Sequence, residues 1–562
     1  MCAPLPVQEL NKGYDVIHYD ATITLDREAD GITGRVTMTA KVTSKTGLTK
    51  VLQHAKYIRA DSVILDGVVT RFTLQDTASG TYLVDAPAIP TGKIFHLTTF
   101  FHGPGRAEPG RMQWGGVTDS NGIMFSMGVG FGVPYTSCTR HWLPCYDLPD
   151  DKADSADLTF VTPSGDVTAS NGLLVSNEVT NGKRSMHWHV SHPIASYLLC
   201  FASGHLSRYR FSSPSGIPVE AFGDATDSLT LDALMRSNVM PVLEFYDSLF
   251  GKYPFEKVGF VLAPIGSMEH QTMITLAQRV TSAKRANTVP IHELAHMYWG
   301  DWVTCRTFDD TWLNEGFATF SEALVMERYV GKEAYRQHIH GDMRGTVAAN
   351  DDEWQLPLVG AATVNHHTNN YPGIIYGKGA AVLAMLRSYL GDSLFFEALR
   401  TYGRRHAYST ATTADFEAAC NDISGQNLHW FFSEWAYRFG YPILSASWKA
   451  GAKGTTIRIV QMQDSTSIPF FRMPMVVECR LGEKRSRSIV WLDSVRTTTI
   501  VVQPGFIPDS VVLDPDTLLI RRNYGASKDI GALLPSEDSP NKTPETAELL
   551  YLHPEATLTE QD

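Results

Sequence analysis

Over residues 35–43 apolar and polar side chains alternate without exception: Val36, Met38, Ala40 and Val42 against Arg35, Thr37, Thr39 and Lys41. A period of two demands a half-buried strand there and rules out a helix. Asp66-Gly67, Asn121-Gly122, Asn171-Gly172 and Asn181-Gly182 separate further strand-like runs, as in an antiparallel β-domain. The longest apolar run, around residues 195–202, reads as a buried strand. Glycines 128, 130 and 132 superficially match a phosphate loop, but Pro134 follows and no helix opens there, so the match carries no function. Near Asp227 the period changes. Residues 229–249 place apolar side chains at helical spacing, as do residues 380–390, where Ala381, Met385 and Leu386 fall on one side. Helical patterns dominate to about Tyr441, and from Pro442 strands return at 456–462, 475–479, 498–502 and 510–520. There is no short-period repeat and no heptad.

The expected architecture is multidomain α+β: an antiparallel β-domain over 1–207, a mainly helical domain over 208–441, a small β-sandwich over 442–523 and a disordered tail over 524–562. A chain of 562 residues exceeds one hydrophobic core and suggests about three or four domains. The net charge of −12 argues against nucleic acid, which requires clustered Lys and Arg. Much of that charge lies in the tail, where from Ala526 onward two lysines face eight acidic residues. The seven cysteines are odd in number and lack a Cys-x-x-Cys spacing, which favours reduced, buried thiols over disulfides or a cysteine zinc site. No run reaches the roughly 18 consecutive apolar residues of a membrane span. The N-terminus lacks an apolar signal core, so a cytoplasmic location is expected. The alternative, an exported or lipid-anchored protein, would follow if Cys2 marks a processed lipoprotein start. The oligomeric state has no signature in the sequence.

The chemistry is concentrated in Pro290-Ile291-His292-Glu293-Leu294-Ala295-His296-Met297-Tyr298-Trp299-Gly300. Pro290 suits the first turn of a helix and Gly300 its stop. Histidines four apart share a helix face with Cβ atoms about 5–6 Å apart, so both imidazoles can reach one zinc at about 2.0–2.1 Å. Glu293 lies beside that metal without binding it, the place for a general base. A second helical segment, Trp312-Leu313-Asn314-Glu315-Gly316-Phe317-Ala318-Thr319, supplies Glu315 as third ligand and leaves a coordination position open, as a catalytic zinc requires. Glu322, two turns further on the same face, either hydrogen-bonds a ligand histidine or is a solvent-exposed helix carboxylate.

The chain resembles the gluzincin (HEXXH) zinc aminopeptidases, the family that includes aminopeptidase N and leukotriene hydrolase. The resemblance runs from Tyr14-Asp15-Val16-Ile17-His18-Tyr19 through Arg140-His141-Trp142-Leu143-Pro144-Cys145-Tyr146-Asp147, Asn171-Gly172 and Ser196-Tyr197-Leu198. It continues through Gly266-Ser267-Met268-Glu269-His270 and Tyr376-Gly377-Lys378-Gly379 to Glu434-Trp435-Ala436-Tyr437-Arg438-Phe439-Gly440-Tyr441-Pro442. It implies a thermolysin-like catalytic domain, one zinc per chain and peptide substrates with a free N-terminus. In that reading Glu269 binds the substrate α-amine and Tyr376 donates to the oxyanion of the tetrahedral intermediate.

Two positions depart from the family pattern. His270 replaces an Asn, and Tyr135 stands where relatives carry Gln or Glu as a second amine contact. The departures suggest a narrower first pocket and, through protonation of His270 below about pH 6.5, an added acid sensitivity. The chain stops after the small β-region, without the large C-terminal helical domain of many relatives, so a more open cleft is expected. The rival readings are a non-catalytic binding scaffold of the same fold, disfavoured because ligands and base are intact, and a zinc hydrolase acting on a non-peptide substrate such as an epoxide.

Overall fold

The computed structural model describes residues 12–27, 31–109, 114–131, 135–279, 288–351, 356–361, 373–451, 453–463 and 467–523. Cys2 and the acidic tail lie outside these residues.

The alternating segment forms strand Gly31–Val42, with Val36, Met38, Ala40 and Val42 fully buried on one face. It lies near the centre of an eight-stranded sheet whose order is Leu173–Thr180, Lys183–Val190, Ser155–Pro163, Tyr14–Asp26, Gly31–Val42, Ile94–Gly103, Arg59–Leu65 and Val68–Thr70. One pairing departs from the antiparallel expectation: Tyr14–Asp26 runs parallel to Ser155–Pro163. A parallel pair needs a long crossover, and the chain between these strands builds the four strands on the far side of Tyr14–Asp26 and the hairpin Gly116–Ser120/Ile123–Met127.

Three of the four turn dipeptides behave as their residues require. Asp66-Gly67, Asn121-Gly122 and Asn181-Gly182 have positive φ at both positions and close two-residue hairpins. Asn171-Gly172 instead carries the chain from one sheet to another, between Val167–Ser170 and Leu173–Thr180. The apolar run at 195–202 is a strand only at its ends. Ser196–Leu198 forms a 3₁₀ turn between Ile194–Ala195 and Phe201–Gly204, because Tyr197 turns toward the helical region.

The helical region is prefaced by a four-stranded sheet in the order Ser207–Ser212, Pro218–Gly223, Val258–Ala263 and Ile274–Ala277. The last two strands fall inside the stretch read as helical; their six- and four-residue runs are wholly buried, and a short apolar run does not distinguish strand from helix. The expected helix at 229–249 appears as Ser228–Leu234 and Met240–Phe250, joined by a π-turn at Met235–Val239. Pro241 explains the interruption, since it lacks an N–H and crowds the carbonyl four residues earlier.

After Pro442 come a four-stranded sheet, containing Ile443–Gly451, Gly454–Gln461, Thr497–Val502 and Arg522–Asn523, and a three-stranded sheet of Met473–Leu481, Lys484–Leu492 and Ser510–Leu513. The strand expected over 510–520 ends at Leu513, where Asp514 adopts φ 48° and its carboxylate accepts from the Leu518 and Leu519 amides. One apolar core unites the helical region with these sheets, and a second fills the N-terminal region. The second core also takes in Phe222, Val261, Ala263, Met268 and Met273, so the sheet that prefaces the helical region is partly buried by the N-terminal half.

Candidate active site

Helix Val289–His296 carries His292, Glu293 and His296, and helix Trp312–Tyr329 carries Glu315 and Glu322. Pro290 sits in the first turn, and Gly300 closes the segment at φ 133°. A Cβ at Gly300 would lie 3.2 Å from His296 Nδ1, so glycine lets the chain fold back tightly enough for the Trp299 carbonyl to accept from that nitrogen at 2.9 Å. His292 Nδ1 is bonded at 2.7 Å to Glu322 Oε1. With both Nδ1 atoms engaged as donors, both Nε2 lone pairs are free to face the cleft.

Those Nε2 atoms are 3.1 Å apart, and Glu315 Oε2 lies 3.3 Å from that of His292 and 3.2 Å from that of His296. Ligands at about 2.0–2.1 Å from a tetrahedral ion sit about 3.3 Å from one another. Two imidazole nitrogens and one carboxylate oxygen at this spacing therefore fit one zinc ion and leave a fourth position toward the cleft. The charges are matched as well. Burial opposes ionisation of Glu315 and Glu322, but the neighbouring histidines outweigh it and hold both carboxyls below their usual range. Burial would discharge His292 and His296, and the surrounding carboxylates overcome it, raising both.

Glu293 and Glu269 face the same cleft. Burial is the largest influence on each, pushing Glu293 up to about 8 and raising Glu269. A divalent cation beside Glu293 would pull that value down. The Tyr376 ring stacks on that of His292, with centroids 5.8 Å apart and planes 18° from parallel. Gly316 and Gly379 explain how Tyr376 comes so near: a Cβ on either would meet the other's Cα at 2.7–2.8 Å, so only glycines allow helices Trp312–Tyr329 and Gly379–Leu390 to cross this closely.

The cleft encloses about 360 Å³, and its opposite wall is made of Trp114, Val129, Phe131, Thr136 and Met268. The buried carboxylate of Glu108 shapes that wall: Oε1 accepts from the Trp114 and Gly115 amides at 3.1 Å, and Oε2 from the Phe131 amide at 2.6 Å. Of the glycines set aside in the sequence, Gly132 lies outside the described residues and the other two are needed here. A Cβ at Gly128 would lie 1.7 Å from the Tyr197 carbonyl oxygen, and one at Gly130 would lie 2.6 Å from Glu108 Oε2. Sequence reasoning missed Glu108, Trp114 and Phe131; the glycine run was their only signal. Asn314 joins the two walls, donating to the Tyr197 hydroxyl at 3.1 Å and accepting from the Cys305 amide at 3.2 Å.

The two departures fall elsewhere than expected. The Tyr135 phenol is bonded to His141 Nε2 at 2.8 Å, its ring lies under the Arg140 guanidinium, and it does not line the cleft. Arg140 is itself fixed by Asp147 at 2.9 Å in a buried pair. His270 is fully buried behind the wall, accepting from the Gly128 amide at 3.2 Å with its other nitrogen on Thr275 Oγ1 at 2.9 Å. Burial pushes His270 down to about 3, so it stays neutral at pH 6.5 and adds no charge beside an amine. Neither residue narrows the pocket.

Residues 16–198 match the Peptidase M1 N-terminal domain and residues 236–435 the Peptidase family M1 domain, together about two thirds of the chain. Aminopeptidase N of Lactococcus lactis subsp. lactis is 25% identical over 457 residues, covering 76% of this chain and 52% of that protein. Puromycin-sensitive aminopeptidase of Caenorhabditis elegans is 27% identical over 344 residues, 57% of this chain and 36% of its own. The chain thus spans about half the length, or less, of these curated relatives. An M1 zinc metallopeptidase from Deinococcus radiodurans shares the fold with a TM-score of 0.62 and 23% identity, over 75% of this chain and 93% of that one. A mutant M1 zinc metallopeptidase from the same organism, bound to a Tyr-Ser-Ala substrate, gives a TM-score of 0.63 at 22% identity, over 75% of this chain and 94% of that one. With both of its larger regions matched in order, this chain belongs to peptidase family M1.

Proposed function

We propose that the protein is a zinc aminopeptidase that removes the first residue of peptides with a free N-terminus. The observation that carries this reading is the mutual approach of His292 Nε2, His296 Nε2 and Glu315 Oε2 within 3.1–3.3 Å, in a cleft that also holds the buried carboxylates of Glu269, Glu293 and Glu322. Zinc, when bound, supplies a Lewis acid that lowers the pKa of water from about 15.7 towards about 7. Glu293 is the general base: it takes the proton from the attacking water and returns it to the leaving amine. Glu269 pairs with the substrate ammonium, which is strong in a cleft poor in water and fixes the cut one residue from the end. Tyr376 donates its hydroxyl to the developing oxyanion; one such donor contributes about 3–4 kcal/mol to transition-state stabilisation. Trp114, Phe131 and Met268 line the space beside Glu269, so the first residue's side chain meets an apolar, largely aromatic wall.

In this reading the catalytic region is 208–441, closed by the N-terminal region 1–207, with the two C-terminal sheets as a small sandwich over 442–523. Six described cysteines are free and buried, which suits a reducing, cytoplasmic setting. No helix among the described residues is long and apolar enough to cross a membrane. The scaffold alternative is disfavoured by the intact ligand and base constellation. The test is a set of amino-acid arylamides and matched free and N-acetylated peptides, assayed with metal-stripped and zinc-restored protein. Cleavage should require zinc and a free amine; equal rates on acetylated peptides would point to an endopeptidase.

A further inference from the structure

Outside the cleft, one patch of the N-terminal sheet gathers metal-ligating side chains from three adjacent strands. Along Lys183–Val190, Met186, Trp188 and Val190 point into the core and are essentially inaccessible, so His187 and His189 project from the opposite face. On the neighbouring strand Ser155–Pro163, Ala156, Leu158 and Phe160 are buried in the same way, which turns Asp157 outward opposite His189. The next strand, Tyr14–Asp26, adds His18 in register with Ser155.

The three imidazoles gather around Asp157. His187 Nε2 lies 2.7 Å and His189 Nδ1 2.9 Å from Asp157 Oδ1, and His18 Nε2 lies 3.3 Å from Asp157 Oδ2. The ion-pair partners of Asp157 among the described residues are these three imidazoles, with no Lys or Arg among them. The other nitrogen of His18 is bonded to Ser155 Oγ at 2.8 Å, which orients the ring toward the cluster as an outer partner orients a metal ligand.

We propose that His18, Asp157, His187 and His189 form a second metal site, for a late first-row divalent ion, on the outer face of the N-terminal sheet. A His-x-His pair on one strand presents two imidazoles about 7 Å apart at their Cα atoms on a single face. A third imidazole and a carboxylate from the neighbouring strands then complete an N₃O donor set. Such a set binds Cu²⁺ most tightly in the divalent series, ahead of Ni²⁺ and Zn²⁺. In the metal-free arrangement the rings address the carboxylate rather than a common point. The side chains are 25–42% exposed, so they can turn onto a shared ion without repacking the core, whose contacts are made by Trp188 and Leu158 on the other face.

The test titrates the zinc-loaded full chain with Cu²⁺, reading paramagnetic resonance and, by elemental analysis, the zinc that remains. One copper per chain should bind with nitrogen hyperfine structure and without loss of zinc. Replacing both His187→Asn and His189→Asn should weaken it at least about tenfold, and Asp157→Asn should weaken it by about the same factor. His96→Asn, in register with His18 through Thr39 on the same sheet but outside the cluster, should leave it unchanged. If no such copper equivalent forms, or if its affinity survives the His187/His189 double replacement, the site does not exist. Copper that enters only by displacing zinc overturns the proposal equally.

Discussion

The two walls of the cleft are held by different means. On the helical wall the three metal-ligating side chains are each fixed by a partner at short range: His292 by Glu322, His296 by the Trp299 carbonyl, and Glu315 by both histidines. All of these lie on two helices or the turn that follows the first. On the β-wall the cleft-facing side chains make few polar bonds of their own. Trp114 and Phe131 are placed by their backbone amides, both drawn to one buried carboxylate, Glu108. Side chains thus lock the chemistry, whereas backbone bonds lock the shape that receives the substrate. Damage to one wall should show in turnover and metal, and damage to the other in affinity and selectivity.

The largest effect should come from Glu293→Gln, which removes the proton acceptor while sparing the three ligands: kcat should fall by about 10²–10⁴ with metal content unchanged. Equal loss of metal would mean that Glu293 holds the ion rather than the proton. Next, Glu322→Gln should weaken metal binding by about 10–100-fold, because His292 exchanges a charged acceptor for a neutral amide oxygen. A competition titration against a chelator measures this, and an unaltered affinity would detach Glu322 from the site. On the other wall, Trp114→Ala should lower kcat/KM about tenfold for substrates with large apolar first residues, and little for alanine, consistent with the 1–3 kcal/mol of an apolar pocket contact. Uniform loss across substrates would place Trp114 outside the first-residue pocket.

The smallest effect concerns His270. Its folded-state value of about 3 lies below its unfolded value, so its contribution to stability is present above about pH 6.5 and is lost as pH falls toward 3. Each pH unit in that window costs about 1.4 kcal/mol. Denaturant unfolding of His270→Asn should accordingly weaken less steeply between pH 6.5 and 5 than that of the native chain. A catalytic acid limb that moves with this substitution, at constant stability, would return His270 to the amine site.

The contrast between the walls also explains what the sequence made legible. His292, Glu293, His296 and Glu315 were readable because a helix converts spacing into a shared face. The strand at 35–43 was readable because a sheet does the same with period two. Trp114 and Phe131 were not, since a hairpin separates them in the chain and their pairing depends on Glu108 binding both of their amides. Tyr135 and His270 were misplaced for the same reason: adjacency to a motif residue does not say which side of the backbone faces the cleft. The strands Val258–Ala263 and Ile274–Ala277 escaped notice because they are buried on both faces and therefore do not alternate.

Asn171 stands at the crossing between two sheets, its amide donating to the Leu198 and Gln271 carbonyls at 2.8 and 2.6 Å while its oxygen accepts from the Cys200 amide at 2.7 Å. The adjacent Gly172 amide donates to Thr272 Oγ1 at 2.8 Å. The loop bearing Glu269 is thus fastened to the N-terminal region as well as to its own sheet. In evolutionary terms the two halves of this chain are not interchangeable cassettes. A recombination that joins one relative's first two hundred residues to another's helical region must inherit a matched clasp on both sides of the crossover, or the loop that carries Glu269 loses its anchor.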